Sequence, residues 1–204
     1  VENCVRAVYG SGTTDVNIQS ITARNLSGDV FQFSSSTGAI QDCSTSEDTA
    51  ETYSNTGLKI YNSTVASESN TLQQKEFGIS ATGTSVLTSD QDVVQSCTED
   101  GVSLNNSATL TAWRGKSFSN GHTSSEFSGD GYTSHLTCQM NTYFCKTKNN
   151  LRSAHAHIDA ASGKIYHHTS YNDGADGVSS PRGALYLNTT GIFDVKQCLI
   201  VNLQ

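Results

Sequence analysis

Four of the chain's six histidines fall within fourteen residues, in the stretch HAHIDAASGKIYHH that runs from His155 to His168. Imidazole titrates near neutrality and ligates metals, so such a cluster suits general acid–base or metal chemistry. The stretch alternates apolar and polar residues on both sides of Ala160-Ala161-Ser162-Gly163, and this alternation predicts a β-hairpin. Any even-length reversal at Ser162-Gly163 puts His155, His157, Asp159, Lys164, Tyr166 and His168 on one face. Ala154, Ala156, Ile158, Ile165 and His167 then form the opposite, core-facing side. His155, His157 and His168 become the candidate ligands of a zinc ion. In a metal-free alternative, His157 or His168 is the base, Tyr166 the acid, and Lys164 or Arg182 the stabiliser of an oxyanion or substrate carboxylate.

Two histidines at i and i+2 with a third across the ladder resemble the H-x-H-plus-histidine pattern of carbonic anhydrases and cupins, which implies a tetrahedral zinc site. The glutamate that cupins place after the H-x-H is absent here. Other catalytic patterns are weaker. Glu126 and Asp130 are the nearest approach to a carboxylate pair, but Asp130 sits in the turn-forming Gly-Asp-Gly-Tyr, and a glycosidase needs two carboxylates across a groove. No G-x-S-x-G marks a serine nucleophile. For ligand binding, the single tryptophan, Trp113, is followed by Arg114, while Tyr171, Asn172 and Asp173 come directly after the histidine run. With Lys164 and Arg182 these make the candidate binding set.

Composition sets the surroundings. The 204 residues carry a net charge of −7 and only 15% charged side chains. The imbalance is local, since residues 1–102 hold 13 acidic and 4 basic side chains, whereas residues 103–204 hold 6 and 8. An acidic chain without a basic stripe excludes nucleic acid as partner, and no apolar run is long enough to span a membrane. Cys4, Cys43, Cys97, Cys138, Cys145 and Cys198 are even in number, scattered, and free of C-x-x-C, which reads as three disulfides made in an oxidising compartment. Asn25, Asn62, Asn105 and Asn188 head N-glycosylation sequons. The start at Val1 fits a mature form whose secretory signal has been removed.

Alternation with period two recurs in twelve runs, among them 15–23, 57–65, 132–140 and 195–203, and a short helix is expected within 69–77. Such a chain predicts an all-β fold with little helix: a disulfide-stapled antiparallel β-sandwich, jelly-roll-like or immunoglobulin-like. It forms a single domain over 1–204, or an acidic subdomain over 1–100 followed by a histidine-containing sandwich over 101–204. The function expected is secreted, glycosylated recognition of carbohydrate or of a host or cell-surface protein. The alternative is an extracellular hydrolase or polysaccharide lyase built on His155, His157 and His168, with or without zinc.

Overall fold

A computed structural model describes residues 1–2, 4–47, 55–121, 129–174 and 183–201. Its strands are short and every pairing between them is parallel. Three sheets of eight strands run the length of the molecule, and the chain visits them in rotation, one strand in each sheet per coil. The fold is therefore a right-angled departure from the expectation: a parallel β-solenoid of eight stacked coils, not an antiparallel sandwich. Residues 69–77, expected to be helical, contain the strand Thr71–Gln73 and the start of Phe77–Thr82.

The register explains why. In the first sheet Val8, Phe31, Leu58, Ile79, Val102, Tyr132, His155 and Leu185 stand side by side, so one coil consumes 21 to 30 residues. Two residues along, Gly10, Phe33, Ile60, Ala81, Leu104, Ser134, His157 and Leu187 make a parallel column. Both columns point inward. A strand's alternation thus does what it does in a sandwich, burying every second residue, but the burial is inside one coil rather than between two sheets. Phe31, Phe33, Leu58, Ile60, Ile79 and Leu104 are sealed there.

Corners between strands are made by single residues with left-handed backbone. Between the second and third sheets these are Ser20, Asp42, Ser69, Gln91, Arg114, Phe144, His167 and Gln197, all with φ between 53° and 57°. Runs that alternate through such a corner look like one strand but are two. Residues 15–23 contain Val16–Gln19 and the start of Thr22–Arg24, and residues 195–203 cover the end of Phe193–Lys196 and then Leu199–Val201.

The next residue at each of these corners points inward: Ile21, Cys43, Asn70, Asp92, Gly115, Cys145, His168 and Cys198 follow one another coil by coil. This column removes the disulfide expectation. Cys145 and Cys198 are two coils apart, about 9–10 Å at the usual strand spacing, while a disulfide needs Cα atoms within about 7 Å. Cys97 and Cys138 belong to two other corners. All six cysteines are free thiols, with Cys43, Cys97, Cys138 and Cys145 buried. Burial raises the Cys97 thiol to about 12, which makes it inert as a nucleophile.

At the corner after the third sheet, inward polar residues form a ladder. The Asn150 side-chain Oδ1 accepts from the Asn120 backbone N–H at 3.2 Å and from Asn120 Nδ2 at 2.8 Å, and Asn150 Nδ2 donates to Asp173 at 2.8 Å and to the Ser117 backbone carbonyl at 3.0 Å. Each coil so caps the backbone of its neighbour. Asn150→Ala would leave several buried donors and acceptors unpaired, and the expected loss is on the order of 3 kcal/mol, measured as a lower urea midpoint with unchanged slope.

Candidate functional site

The two halves of the histidine stretch do not pair with each other. Ser153–Asp159 belongs to the first sheet and Ser162–Tyr166 to the second, with the corner at Asp159 to Ala161 between them. The faces expected from a hairpin are consequently redistributed. His155 and His157 continue the inward columns that earlier coils fill with Phe, Leu and Ile, and His168 fills the corner column. They are 2%, 0% and 3% exposed. His167, expected in the core, is exposed at a left-handed corner and stacks on Phe144 at 4.5 Å.

Inside, the three rings do meet. His155 Nε2 and His168 Nδ1 are 3.2 Å apart, and the Thr147 hydroxyl, 3.1 Å from His168 Nε2, itself donates to Asp173 at 2.7 Å. His157 Nδ1 lies 2.7 Å from the Ser134 hydroxyl, and its ring stacks on Phe193 at 4.1 Å. His155 lies flat on Tyr132 at 5.0 Å. Burial drives His157 down to about 3 and His168 to about 4, and pushes His155 well below the usual imidazole range, so all three are neutral. Among the described residues, no three or more His, Cys, Asp or Glu side chains are grouped to hold a metal ion.

The outer surface carries a different constellation. In the second sheet the last outward position of successive strands is Gln19, Gln41, Glu68, Asp90, Trp113, Tyr143, Tyr166 and Lys196. Coils five to seven thus place three aromatic rings in line. Trp113 and Tyr143 stack at 4.3 Å and 16°, and Tyr143 meets Tyr166 edge-on at 5.6 Å. Trp113 is 40% exposed although it is the largest apolar side chain in the molecule. Arg114, at the corner beside it, is bound to Asp90 through two hydrogen bonds.

Next to this ladder lies an open groove of about 410 Å³, lined by Gln139 and Asn141 of coil six, Ser162, Gly163 and Lys164 of coil seven, and Ile192 and Asp194 of coil eight. At its wall the Tyr166 hydroxyl donates to Asp194. Lys196 donates to the same carboxylate oxygen at 2.7 Å and lies 3.4 Å from the phenol oxygen. The hydrogen bonds from Lys196 and Tyr166 hold the Asp194 carboxyl below the usual carboxylate range, and Asp194 in turn raises Lys196. Lys164 stands between Asn141 and Asp194 in the register and is exposed. The set contains a proton donor, a carboxylate and two cations facing open space.

Of the sequence-derived binding candidates, Trp113, Arg114 and Lys164 are thus on this face. Tyr171 is on the neighbouring third sheet, where the Lys148 ammonium sits 5.4 Å from its ring. Asn172 is at a corner beside Asn149, and Asp173 is fully buried in the asparagine ladder. Arg182 lies outside the described residues. Of the glycosylation candidates, Asn62 and Asn188 are exposed and Asn25 and Asn105 half-buried. Asp194, Lys196 and Tyr143 did not emerge from the sequence reading. The signal for Tyr143 and Lys196 is the alignment of WRGKSF (113–118), YFCKTK (143–148), YHHTSY (166–171) and KQCLIV (196–201), a repeat visible once the coil length is known.

No family profile matches the chain, and no curated protein matches it. Three solved structures resemble it. The crystal structure of pectate lyase Pel9A shares 13% identity with a TM-score of 0.51, over 88% of this chain and 55% of that one. The periplasmic alginate epimerase AlgG shares 10% at 0.45, over 89% of this chain and 47% of its own. The A-module of the Azotobacter vinelandii mannuronan C-5 epimerase AlgE6 shares 12% at 0.42, over 100% and 65%. The chain therefore spans between 47% and 65% of the length of these structures. At such identity the pectate lyase supports the β-solenoid fold and nothing finer. Among the described residues no helix is long and apolar enough to cross a membrane.

Proposed function

We propose that this protein acts on a polysaccharide in an extracellular or periplasmic setting, taking the glycan along the outer face of the second sheet from coil five to coil eight. The observation that carries the reading is the exposed Trp113–Tyr143–Tyr166 ladder running into a groove edged by Lys164, Asp194 and Lys196. Flat, half-exposed aromatic rings offer large apolar faces to sugar rings, and the adjoining groove offers hydrogen-bonding groups that orient them. A pectate lyase has the same fold, which supports a polysaccharide over a small ligand.

The chemistry that suits the groove is proton transfer rather than glycosidic hydrolysis, because Asp194 is the one carboxylate among its described lining residues and hydrolysis takes a pair. For a uronate unit, elimination removes the proton from the carbon beside the carboxylate, breaks the bond to the leaving sugar oxygen and returns a proton to that oxygen. Lys164 is suited to pair with the uronate carboxylate. The Asp194 carboxylate is suited to take the proton from that carbon, and the Tyr166 hydroxyl to give its own to the leaving oxygen. The proton on Asp194 then returns to the phenolate across their hydrogen bond. Lys196 supplies positive charge where oxygen anion develops. The buried histidines, out of reach of a surface polymer, hold up the coil beneath.

Binding and turnover should be screened together on carboxylated, sulfated and neutral polysaccharides, with turnover followed by the ultraviolet absorbance of the new conjugated double bond. Wild type is expected to bind and cleave a uronate polymer, and Trp113→Ala to weaken binding on the order of 30-fold. Equal binding by wild type and Trp113→Ala to every polymer removes the reading.

A further inference from the structure

Round the corner from the groove, the third sheet carries a second unusual surface. Its outward positions in coils one to four are Thr22 and Arg24, Ser44 and Ser46, Thr71 and Gln73, Val93 and Gln95. In coils five to seven they become Lys116 and Phe118, Lys146 and Lys148, Thr169 and Tyr171. Lys116 and Lys146 are direct cross-strand partners, as are Phe118 and Lys148. Parallel neighbours stand about 4.8 Å apart, and like charges placed opposite each other destabilise a sheet.

Among the described residues no carboxylate compensates them, and Lys148 alone has a partner, the Tyr171 ring 5.4 Å away. Among the described residues none of the three lysines is in an ion pair, and no described outward position on this part of the sheet or its two corners is Asp or Glu. In a chain of net charge −7, three unbalanced cations on adjoining strands form a local inversion of charge. The corner leading into these strands is aromatic as well. Phe144 is 50% exposed, holds a φ of 55°, and stacks at 3° on His167. A bulky residue kept at positive φ and half in solvent is strained.

We propose that this face is a second binding track for an anionic polysaccharide, with its carboxylate or sulfate groups on Lys116, Lys146 and Lys148 and its sugar rings against the Phe144–His167 edge. The track adjoins the aromatic ladder at Trp113, whose ring is 6.4 Å from that of Phe144, so one polymer can reach both. The identity of the polymer rests on the function proposed for the groove; the track's requirement for negative charge does not. Nucleic acid fits less well, since the acidic remainder of the chain repels a uniformly charged phosphate backbone.

The test is the triple variant K116Q/K146Q/K148Q of the full chain, beside K116R/K146R/K148R. Binding is measured by affinity electrophoresis on polygalacturonate, dextran sulfate, neutral dextran and single-stranded DNA, at low and physiological salt. The glutamine variant is expected to lose about tenfold or more in affinity for the anionic polymers and much of the salt dependence. The arginine variant is expected to bind like wild type, and neutral dextran to be unaffected. A preference for polygalacturonate identifies carboxylate as the anion, and one for dextran sulfate identifies sulfate. The double variant K116Q/K146Q, which keeps Lys148 on the Tyr171 ring, should melt at or above the wild-type temperature, because the repulsion between those two cross-strand partners has been removed. Unchanged affinity of the triple glutamine variant for both anionic polymers, tighter binding of DNA than of either by wild type, or a lower melting temperature of K116Q/K146Q each overturns the track. Absence of turnover by wild type defeats the groove chemistry and leaves these binding results to stand by themselves.

Discussion

Replacing Tyr166 by phenylalanine is expected to reduce turnover of a uronate polymer by roughly 10²- to 10⁴-fold, the range for loss of a positioned proton donor, while KM changes little. The substitution keeps the ring that meets Tyr143 edge-on and removes only the hydroxyl that bridges Asp194 and the neighbourhood of Lys196. Asp194→Asn should cost a similar factor, since it takes away the partner that orients the phenol and accepts from Lys196. Because the two groups act as a unit, the double variant should be little worse than either single one. Steady-state kinetics on a soluble polymer, with binding measured separately, separates the outcomes. A Tyr166→Phe protein with kcat within about threefold of wild type removes Tyr166 from the chemistry. A kcat that holds while KM rises reduces it to a stacking residue.

The residues of this site were partly legible in the sequence and their arrangement was not. Alternation located part of the strand set, because a solenoid strand and a sandwich strand bury every second residue alike. It merged strands across corners and passed over Thr37–Gln41, Val86–Asp90 and Val102–Leu104. Alternation carries no information about whether the neighbouring strand is parallel, and the single-residue corners at Ser20, Phe144, His167 and Gln197 let the pattern run on without the glycine or proline that normally ends a strand. The repeat was hidden because the coil length varies from 21 to 30 residues and the aligned residues differ: the position of Trp113 is Asp90 one coil earlier and Lys196 three coils later. Tyr166 and Lys164 were singled out for an outward face and are on one. His155, His157 and His168 were expected there too and are inside, since the chain turns into a different sheet at Asp159 where a hairpin would have folded back. Cysteine spacing misled for a related reason. Thiols that stack at the inward corner positions are scattered in sequence as disulfide partners would be, yet stand one or more coils apart.

Acid should unfold this protein through the same buried imidazoles. With His157 held at about 3 and His168 at about 4 in the folded chain, against about 6.5 in the unfolded chain, the unfolded state binds more protons at every pH between those limits. Stability is therefore complete above about pH 6.5 and is lost progressively as pH falls towards 4 and 3. The full penalty is on the order of 3 kcal/mol for His168 and 5 kcal/mol for His157, with His155 adding in the same direction. Buried acids oppose it. Desolvation raises Asp100 to about 6, so Asp100 favours the folded state as pH falls below about 6, contributing on the order of 3 kcal/mol, and desolvation of Asp92 acts in the same direction. The histidine sum is larger, and a lower urea midpoint is expected at about pH 4.5 than at about pH 7. His168→Asn, which places at this corner the residue that coil three carries as Asn70, should shrink that difference, whatever it costs in absolute stability. Equal midpoints for wild type at both pH values, or an undiminished difference in His168→Asn, would contradict the assignment. The damage should start at coil eight. Phe193 lies against His157 at 4.1 Å and is adjacent in sequence to Asp194, so a charged His157 seeking water pushes on the strand that carries the groove carboxylate. Loss of polymer turnover in acid should accordingly precede global unfolding, read as activity falling before the circular dichroism of the sheets does.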